Sequence, residues 1–274
     1  MISINKNPKT RKCPVDQASA ASSGLLIGGY QIFYCVKCDH RFTPDAYISE
    51  INYNDLYSSD EYLENQIIPL KSEYARKRFH LIGTYRPFFN MVDKKNGKKL
   101  LDIGCGVGRF CHAAYQHGWD VKGIDLSEKA IQIGKQVALF PLESKTINEE
   151  YSRYNAITAF EVLEHLEHPA DFATAVKSLL LPEGQVLMTV PNWDCKDVQE
   201  ADRFDWLPPV HLNFFTKNSL KKLFEVSGYT QIKVGFIGSN PVPESLISLI
   251  YWIATWKFLK PNKKVGLWIY AIVK

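Results

Sequence analysis

The stretch LLDIGCGVGRF, residues 100–110, decides the fold of this chain. It reads as a buried strand that breaks into a turn with glycines at 104, 106 and 108 and then continues into a helix. Glycine tolerates the left-handed backbone of a tight turn and lets a ligand approach the main chain, while the helix start offers N–H groups without intrahelical partners. Asp102 stands just before the glycines. VKGIDLS brings Asp125 to the end of a second strand, where a carboxylate can accept both hydroxyls of a ribose. A dinucleotide fingerprint asks for its third glycine at position 109, which is Arg109 here. An acidic residue ahead of the glycines repels phosphates and attracts an ammonium or sulfonium group. The expected ligand is therefore cationic at that end, and a nicotinamide-dependent oxidoreductase is the alternative that Asp102 and Arg109 argue against.

Outward from this turn, short apolar runs at 121–124, 156–160 and 186–190 alternate with helical segments, which is the pattern of parallel βαβ units in a doubly wound α/β sheet. Ser127 is a good N-cap for the helix after the second strand. Residues 139–154 are the least readable part of the core, with a short third strand expected there. Strand composition returns at 230–237 and 267–273. Between 57 and 92 the sequence reads as a pair of helices with Pro69 and Pro87 at their boundaries. The near-continuous apolar stretch 244–259 is too short to span a bilayer. It reads as a buried helix, with a lid, a dimer face or a membrane-surface contact as alternatives.

The 274 residues carry 33 basic and 29 acidic side chains, a net charge of +4, and 46% are hydrophobic. Such a chain packs a globular core and projects no strong field toward nucleic acid. The clusters Lys94, Lys95, Lys98, Lys99 and Lys260, Lys263, Lys264 read as solvated surface rather than a nucleic-acid face. The N-terminus lacks an apolar leader segment, so a cytoplasmic protein is expected.

Among six cysteines, Cys13 and the pair Cys35 and Cys38 have zinc-ribbon spacing, with Asp16 where a fourth thiol belongs. Asp can ligate zinc and His40 is near, so Cys₃Asp, Cys₃His and a metal-free relic all stay open. One alternating run, 30–35, reads as a strand of this small module.

The segment FEVLEHLEHP, residues 160–169, spaces Glu161, Glu164 and His165 as i, i+3, i+4, so a helix would put them on one face. With His211 they form an oxygen-and-nitrogen ligand set suited to Mg²⁺ or a similar ion. The plainer reading has Glu161 bordering a ligand pocket and Glu164 and His165 holding a neighbouring loop. His168 and Pro169 read as helix-terminating or surface residues. His211 can instead act without metal as a near-neutral base, or as a structural hydrogen bonder. Phe204, Trp206, Phe214 and Phe215 read as pocket walls.

Taken in order, DIGCGVG, Asp125, FEVLEHLEHP, LLLPEGQVLMTVPN (179–192) and HLNFFTKNSLKKLFEVSGY (211–229) resemble the class I S-adenosylmethionine-dependent methyltransferases over residues 99–274. The ribbon pattern followed by Tyr53, Tyr57 and Tyr62 is similar to the module that precedes many members acting on small molecules or glycans. The resemblance implies a Rossmann-like sheet of seven strands with the last one reversed. It implies S-adenosylmethionine as cofactor, with Asp102, Gly104, Gly106 and Gly108 near the methionine part, Asp125 and Leu126 at the ribose, and Phe160 and Glu161 lining the pocket. Leu142, Glu143 and Ser144 are only candidates for the adenine. The Glu-x-x-Glu-His pattern with a distant His is similar to the metal site of small-RNA terminal 2′-O-methyltransferases and of ubiquinone-pathway O-methyltransferases. The expectation is O-methylation of a small metabolite, sugar or glycan with His211 as base or metal ligand, and metal-dependent RNA 2′-O-methylation as the alternative. The chain divides into a ribbon-like module (1–45), a helical acceptor-side cover (46–98) and a cofactor-binding domain (99–274).

Overall fold

The computed structural model describes residues 10–43, 60–199, 208–238 and 264–274. The apolar stretch 244–259 and residues Tyr53, Tyr57, Phe204 and Trp206 lie outside them. The chain begins with four short strands, β1 (Thr10–Lys12), β2 (Ser19–Ile27), β3 (Tyr30–Cys35) and β4 (His40–Phe42). Two helices, α1 (Asp60–Lys71) and α2 (Glu73–Arg76), a 3-10 turn (Phe79–Leu81) and α3 (Arg86–Met91) follow. Then come β5 (Lys99–Ile103), α4 (Arg109–Gln116), β6 (Asp120–Asp125), α5 (Glu128–Lys135), β7 (Leu142–Ser144), β8 (Tyr154–Phe160), α6 (Pro169–Ser178) and β9 (Leu180–Pro191). The chain closes with α7 (Lys196–Gln199), β10 (Asn213–Phe214), α8 (Lys217–Val226), β11 (Thr230–Ile237) and β12 (Gly266–Ile272).

Seven strands form one sheet in the order β11-β12-β9-β8-β5-β6-β7. The five from β9 to β7 run parallel, and β12 is antiparallel to both of its neighbours. The expected doubly wound sheet with a reversed last strand is present. Alternation along the inner strands explains why both faces are apolar. Leu100, Ala156, Leu187 and Tyr270 pack with Phe88, Phe110, Cys111 and Ile131 on one side, while Leu101, Ile157, Met188 and Ile269 pack with Val176, Leu220 and Phe224 on the other. Burying each such large side chain contributes about 1.5–3 kcal/mol, which holds the strand ends where the loops need them. The third strand expected between 139 and 154 is β7, only three residues long. Ser127 caps α5 as expected, its hydroxyl accepting from the Ala130 N–H at 3.2 Å.

Three local expectations are corrected. Pro69 lies inside the last turn of α1 instead of bounding it. Its ring removes one backbone hydrogen bond, and the break falls at Ser72, whose hydroxyl accepts from the Ala75 N–H to start α2. Pro87 does open α3. His168 and Pro169 begin helix α6 rather than end one, proline at a first turn giving up no bond. The segment after β8 is a single 3-10 turn, Leu163–His165, and Glu161 lies before it with φ of +55°, so Glu161, Glu164 and His165 do not share an α-helical face.

The N-terminal region holds four strands where the sequence marked one. They form a second sheet, β1-β2-β3-β4-β10, whose last member is the two-residue strand Asn213–Phe214 from the far end of the chain. Phe33, Phe42 and Val15 accordingly belong to the same buried cluster as Leu101 and Phe215. No helix among the described residues is long and apolar enough to cross a membrane.

Candidate active site

The β5–α4 turn carries left-handed backbone at Gly104 (φ +72°), Gly106 (+53°) and Gly108 (+84°), as its glycines require. A Cβ on Gly104 would lie 2.6 Å from Val162 Cγ2, so the segment after β8 sits directly over the turn. A Cβ on Gly106 would meet nothing within 4 Å, so its backbone faces open space. Asp125 is bonded to this turn: its Oδ2 accepts from the Gly106 N–H at 2.7 Å and its Oδ1 from the Ser127 N–H at 2.8 Å. Burial raises the carboxyl above the usual aspartate value, and the N–H groups of Ser127, Gly106 and Leu126 partly offset that. A carboxylate offers about four acceptor sites, so two remain for ribose hydroxyls. Leu126, 58% exposed, stands beside it as an apolar wall.

Asp102 is buried beneath the turn. Its Oδ1 accepts from Thr158 Oγ1 at 2.8 Å and its Oδ2 from Cys111 Sγ at 3.6 Å. Burial pushes its carboxyl up to about 7, the Thr158 and Cys111 bonds acting the other way. Phe160, at the end of β8, packs edge-on against Tyr85 and lies 4.5 Å from Phe110, closing the apolar side.

Two residues past Val162, Glu164 gathers with His165 and His211, each offering a ligand atom within 4.8 Å of the others. His165 Nδ1 is 2.9 Å from the Val210 carbonyl, its Nε2 is 3.8 Å from Glu164 Oε1, and its ring lies edge-on to that of His211, 4.6 Å away. Glu164 is 1% exposed, and neither carboxylate oxygen has a hydrogen-bond partner. Burial first, and then the charge of Glu161, push its carboxyl well above the usual range. A buried carboxylate without hydrogen bonds, gathered with two imidazoles, is a donor set that a divalent ion fits, the two nitrogens favouring a borderline first-row ion. Glu161 lies outside this set. Solvent reaches it, yet surrounding protein still raises its carboxyl to about 7, and Thr189 Oγ1 donates to its Oε1 at 2.7 Å.

Cys13, Asp16, Cys35 and Cys38 also converge within 4.8 Å. Cys13 Sγ and Cys38 Sγ are 3.6 Å apart, Cys35 Sγ is 3.5 Å from Asp16 Oδ1, and Asp16 Oδ2 has no hydrogen-bond partner. Each Cys-x-x-ligand turn is followed by a left-handed residue, Gln17 (φ +59°) and Asp39 (φ +62°), so the two arms have matching knuckles. Three thiols and a carboxylate in this arrangement fit Zn²⁺. His40 is not in the cluster, because its Nε2 bonds Asn213 Oδ1 at 3.0 Å.

Sequence reasoning passed over Thr158, Thr189 and Tyr85, which hold Asp102, Glu161 and Phe160. Lone residues carry no motif; the pairing of β5 with β8 and of β8 with β9 brings Thr158 and Thr189 to the site, and ring packing on Phe160 brings Tyr85 from the start of α3.

A family model described as a methyltransferase domain matches residues 74–234. The ubiquinone biosynthesis O-methyltransferase of Idiomarina loihiensis is 25% identical over 191 residues, covering 63% of this chain and 79% of that protein. Its namesake in Leptothrix cholodnii is 34% identical over 145 residues, covering 44% of this chain and 60% of that protein, so the match leaves two fifths of that relative unspanned. A solved S-adenosylmethionine dependent methyltransferase from Mesorhizobium loti shares the fold, with a TM-score of 0.55 and 16% identity over 71% of this chain and 100% of that one.

Proposed function

Because this chain belongs to the methyltransferase-domain family and is an S-adenosylmethionine-dependent methyltransferase, we propose that it methylates an oxygen of a small metabolite, sugar or glycan, with His211 serving the acceptor. The observation that carries the reading is the packing of Val162 over Gly104, which brings to the cofactor turn the segment whose Glu164 and His165 gather with His211. The names of the relatives, O-methyltransferases of ubiquinone biosynthesis, support a small oxygen acceptor.

The sulfonium of bound S-adenosylmethionine supplies an activated methyl group. Asp125 and Leu126 hold the ribose, and Gly104, Gly106 and Gly108 let the methionine part lie against the backbone, with Asp102 and Thr158 bracing the turn from beneath. Phe160 and Glu161 line the pocket. With the cofactor bound, the His211 imidazole would take the proton of the acceptor oxygen as that oxygen receives the methyl group, so alignment and proton removal would supply most of the acceleration. Glu164 with its two unpartnered oxygens favours a second form of the same site, in which Glu164, His165 and His211 hold a divalent ion such as Mg²⁺ that orients the acceptor oxygen. In the ribbon module (1–45), Cys13, Asp16, Cys35 and Cys38 would hold a structural zinc. Residues 46–98 would cover the acceptor of the 99–274 domain. A cytoplasmic setting fits six cysteines that form no disulfide.

Isothermal titration of S-adenosylhomocysteine into metal-analysed protein tests this. Saturable binding is expected, weakened by about 100-fold or more in Asp125→Ala, where both ribose bonds go. Repeats with Mg²⁺ and after chelation separate the two forms of the acceptor site. No binding under any condition would overturn the reading.

A further inference from the structure

The last strand of the N-terminal sheet, Asn213–Phe214, comes two residues after His211, and its pairing with β4 is reinforced by one side chain. The Asn213 amide donates through Nδ2 to the Leu166 carbonyl at 2.6 Å and to the Leu163 carbonyl at 3.3 Å, the two ends of the turn that carries Glu164 and His165. Two carbonyl partners fix which end of the amide is nitrogen. Asn213 Oδ1 therefore faces His40 Nε2, and the imidazole must be the donor in that bond. His40 is fully buried, two residues past Cys38, and opposite Cys35 in the β3–β4 register. Leu212 repeats the link in the main chain: its N–H donates to the Glu164 carbonyl at 2.8 Å and its carbonyl accepts from the Thr43 N–H at 2.9 Å. Thr216 Oγ1 adds a bond to the Asp39 carbonyl at 3.2 Å.

We infer that Asn213 is a positioning residue for methyl transfer: bridged to His40, it locks the turn bearing Glu164 and His165 and the strand following His211 to the cysteine knuckle of the N-terminal sheet. The inference rests on the reading of Glu164, His165 and His211 as the acceptor side. Removing the Asn213 amide takes the partner from the buried His40 N–H and from the Leu166 carbonyl, and leaves the Leu163 carbonyl only its bond from the Leu166 N–H, so the turn and the His211 strand lose their common reference.

The test uses the full chain saturated with S-adenosylhomocysteine, with ¹⁵N-labelled histidine spectra and amide hydrogen exchange on wild type, Asn213→Ala, His40→Leu and His40→Gln. In Asn213→Ala and His40→Leu, the His165 and His211 ring signals should move and the His165, Leu166 and Leu212 amides should exchange about tenfold faster or more. S-adenosylhomocysteine affinity should stay within about threefold, because the glycine turn keeps its own bonds to Asp125. His40→Gln places an amide N–H near the former Nε2 and should return the signals toward wild type, which a role in filling volume alone would not do. Unmoved rings and amides in a ligand-bound Asn213→Ala or His40→Leu protein would overturn the inference, as would His40→Gln behaving like His40→Leu. If Asn213→Ala does not fold, the matched pair at position 40 decides. Failure of wild type to bind S-adenosylhomocysteine would instead count against the cofactor reading, and the same histidine and amide signals of the unliganded chain would then decide the bridge.

Discussion

The cofactor side and the acceptor side are built in opposite ways. The cofactor side, Asp102 to Ser127, is a strand, a turn, a helix and a second strand, and the bond that joins its turn to its carboxylate, Gly106 to Asp125, spans 19 residues, with Thr158 on Asp102 as a brace from the next strand. The acceptor side is gathered from three distant pieces: a cysteine knuckle, the turn after β8, and the strand at 213–214 with the start of α8 that follows it. Its central bond joins His40 to Asn213 across 173 residues. A site made of contiguous chain survives as a motif, whereas one made by long-range pairing is held by side chains that carry no local signature.

The comparison breaks most sharply at Gly104. Gly104→Ala adds a Cβ 2.6 Å from Val162 at a left-handed φ, so cofactor affinity should fall by about 100-fold and the acceptor-side turn should shift with it. Calorimetry and hydrogen exchange read the two effects. A variant that damaged binding but left residues 163–166 protected would show the sides to be independent after all.

Cys35→Ser works from the opposite end. It should lower zinc content and cost about 10 °C in melting temperature while S-adenosylhomocysteine affinity changes by less than about threefold. Metal analysis and a thermal melt are the measurements, and equal loss of cofactor affinity would erase the distinction between the sides.

Asp102 gives a pH signature confined to the cofactor side. Its carboxyl titrates at about 7 when folded against an ordinary aspartate value of 3.8, because burial disfavours its charge. Its protonated form therefore stabilises the fold, fully below about 4, and that contribution is lost as pH rises through 7. The ceiling is about 4 kcal/mol at about 1.36 kcal/mol per unit. Asp102→Asn should flatten the ligand-free melting curve against pH between 5 and 8, gaining on wild type toward the alkaline end.

The smallest effect is expected at the sheet edge. Burial alone would raise Glu150, yet Lys145 at 2.7 Å and Lys122 at 3.0 Å hold it at about 2. Glu150→Gln should cost about 1 kcal/mol in denaturant unfolding at neutral pH, less at high salt. The wild-type contribution is present above the ordinary glutamate range and vanishes as pH falls toward 2. Neither the cofactor nor the histidine signals should respond.

How much could be read in advance follows the same division. Strands at 121–124, 230–237 and 267–273 were legible because buried parallel strands and the final hairpin are apolar runs bounded by turns. Ser127 and Asp125 were legible because a cap and a strand-end carboxylate act within a few residues. The segment after β8 was not, because the helical spacing of Glu161, Glu164 and His165 conceals a left-handed residue at 161 and a lone 3-10 turn. Pro69 misled because one missing N–H in a last turn is tolerable, and Ser72 made the break. Asn213 looked like any polar residue in HLNFF. Three strands of the N-terminal sheet stayed hidden, since β1 and β4 are only three residues long and the Ser-rich, mostly exposed β2 shows little hydrophobic period.

The shared strand at 213–214 also sets an order of events during synthesis. A chain leaving the ribosome from its N-terminus can form the β1–β4 hairpins early, but the fifth strand emerges only after β5 to β9 have been made. Until then the edge of β4 has no partner, and the His40 ring has no amide to meet. Completion of the first sheet is thus a late step of folding, timed by the segment that also delivers His211.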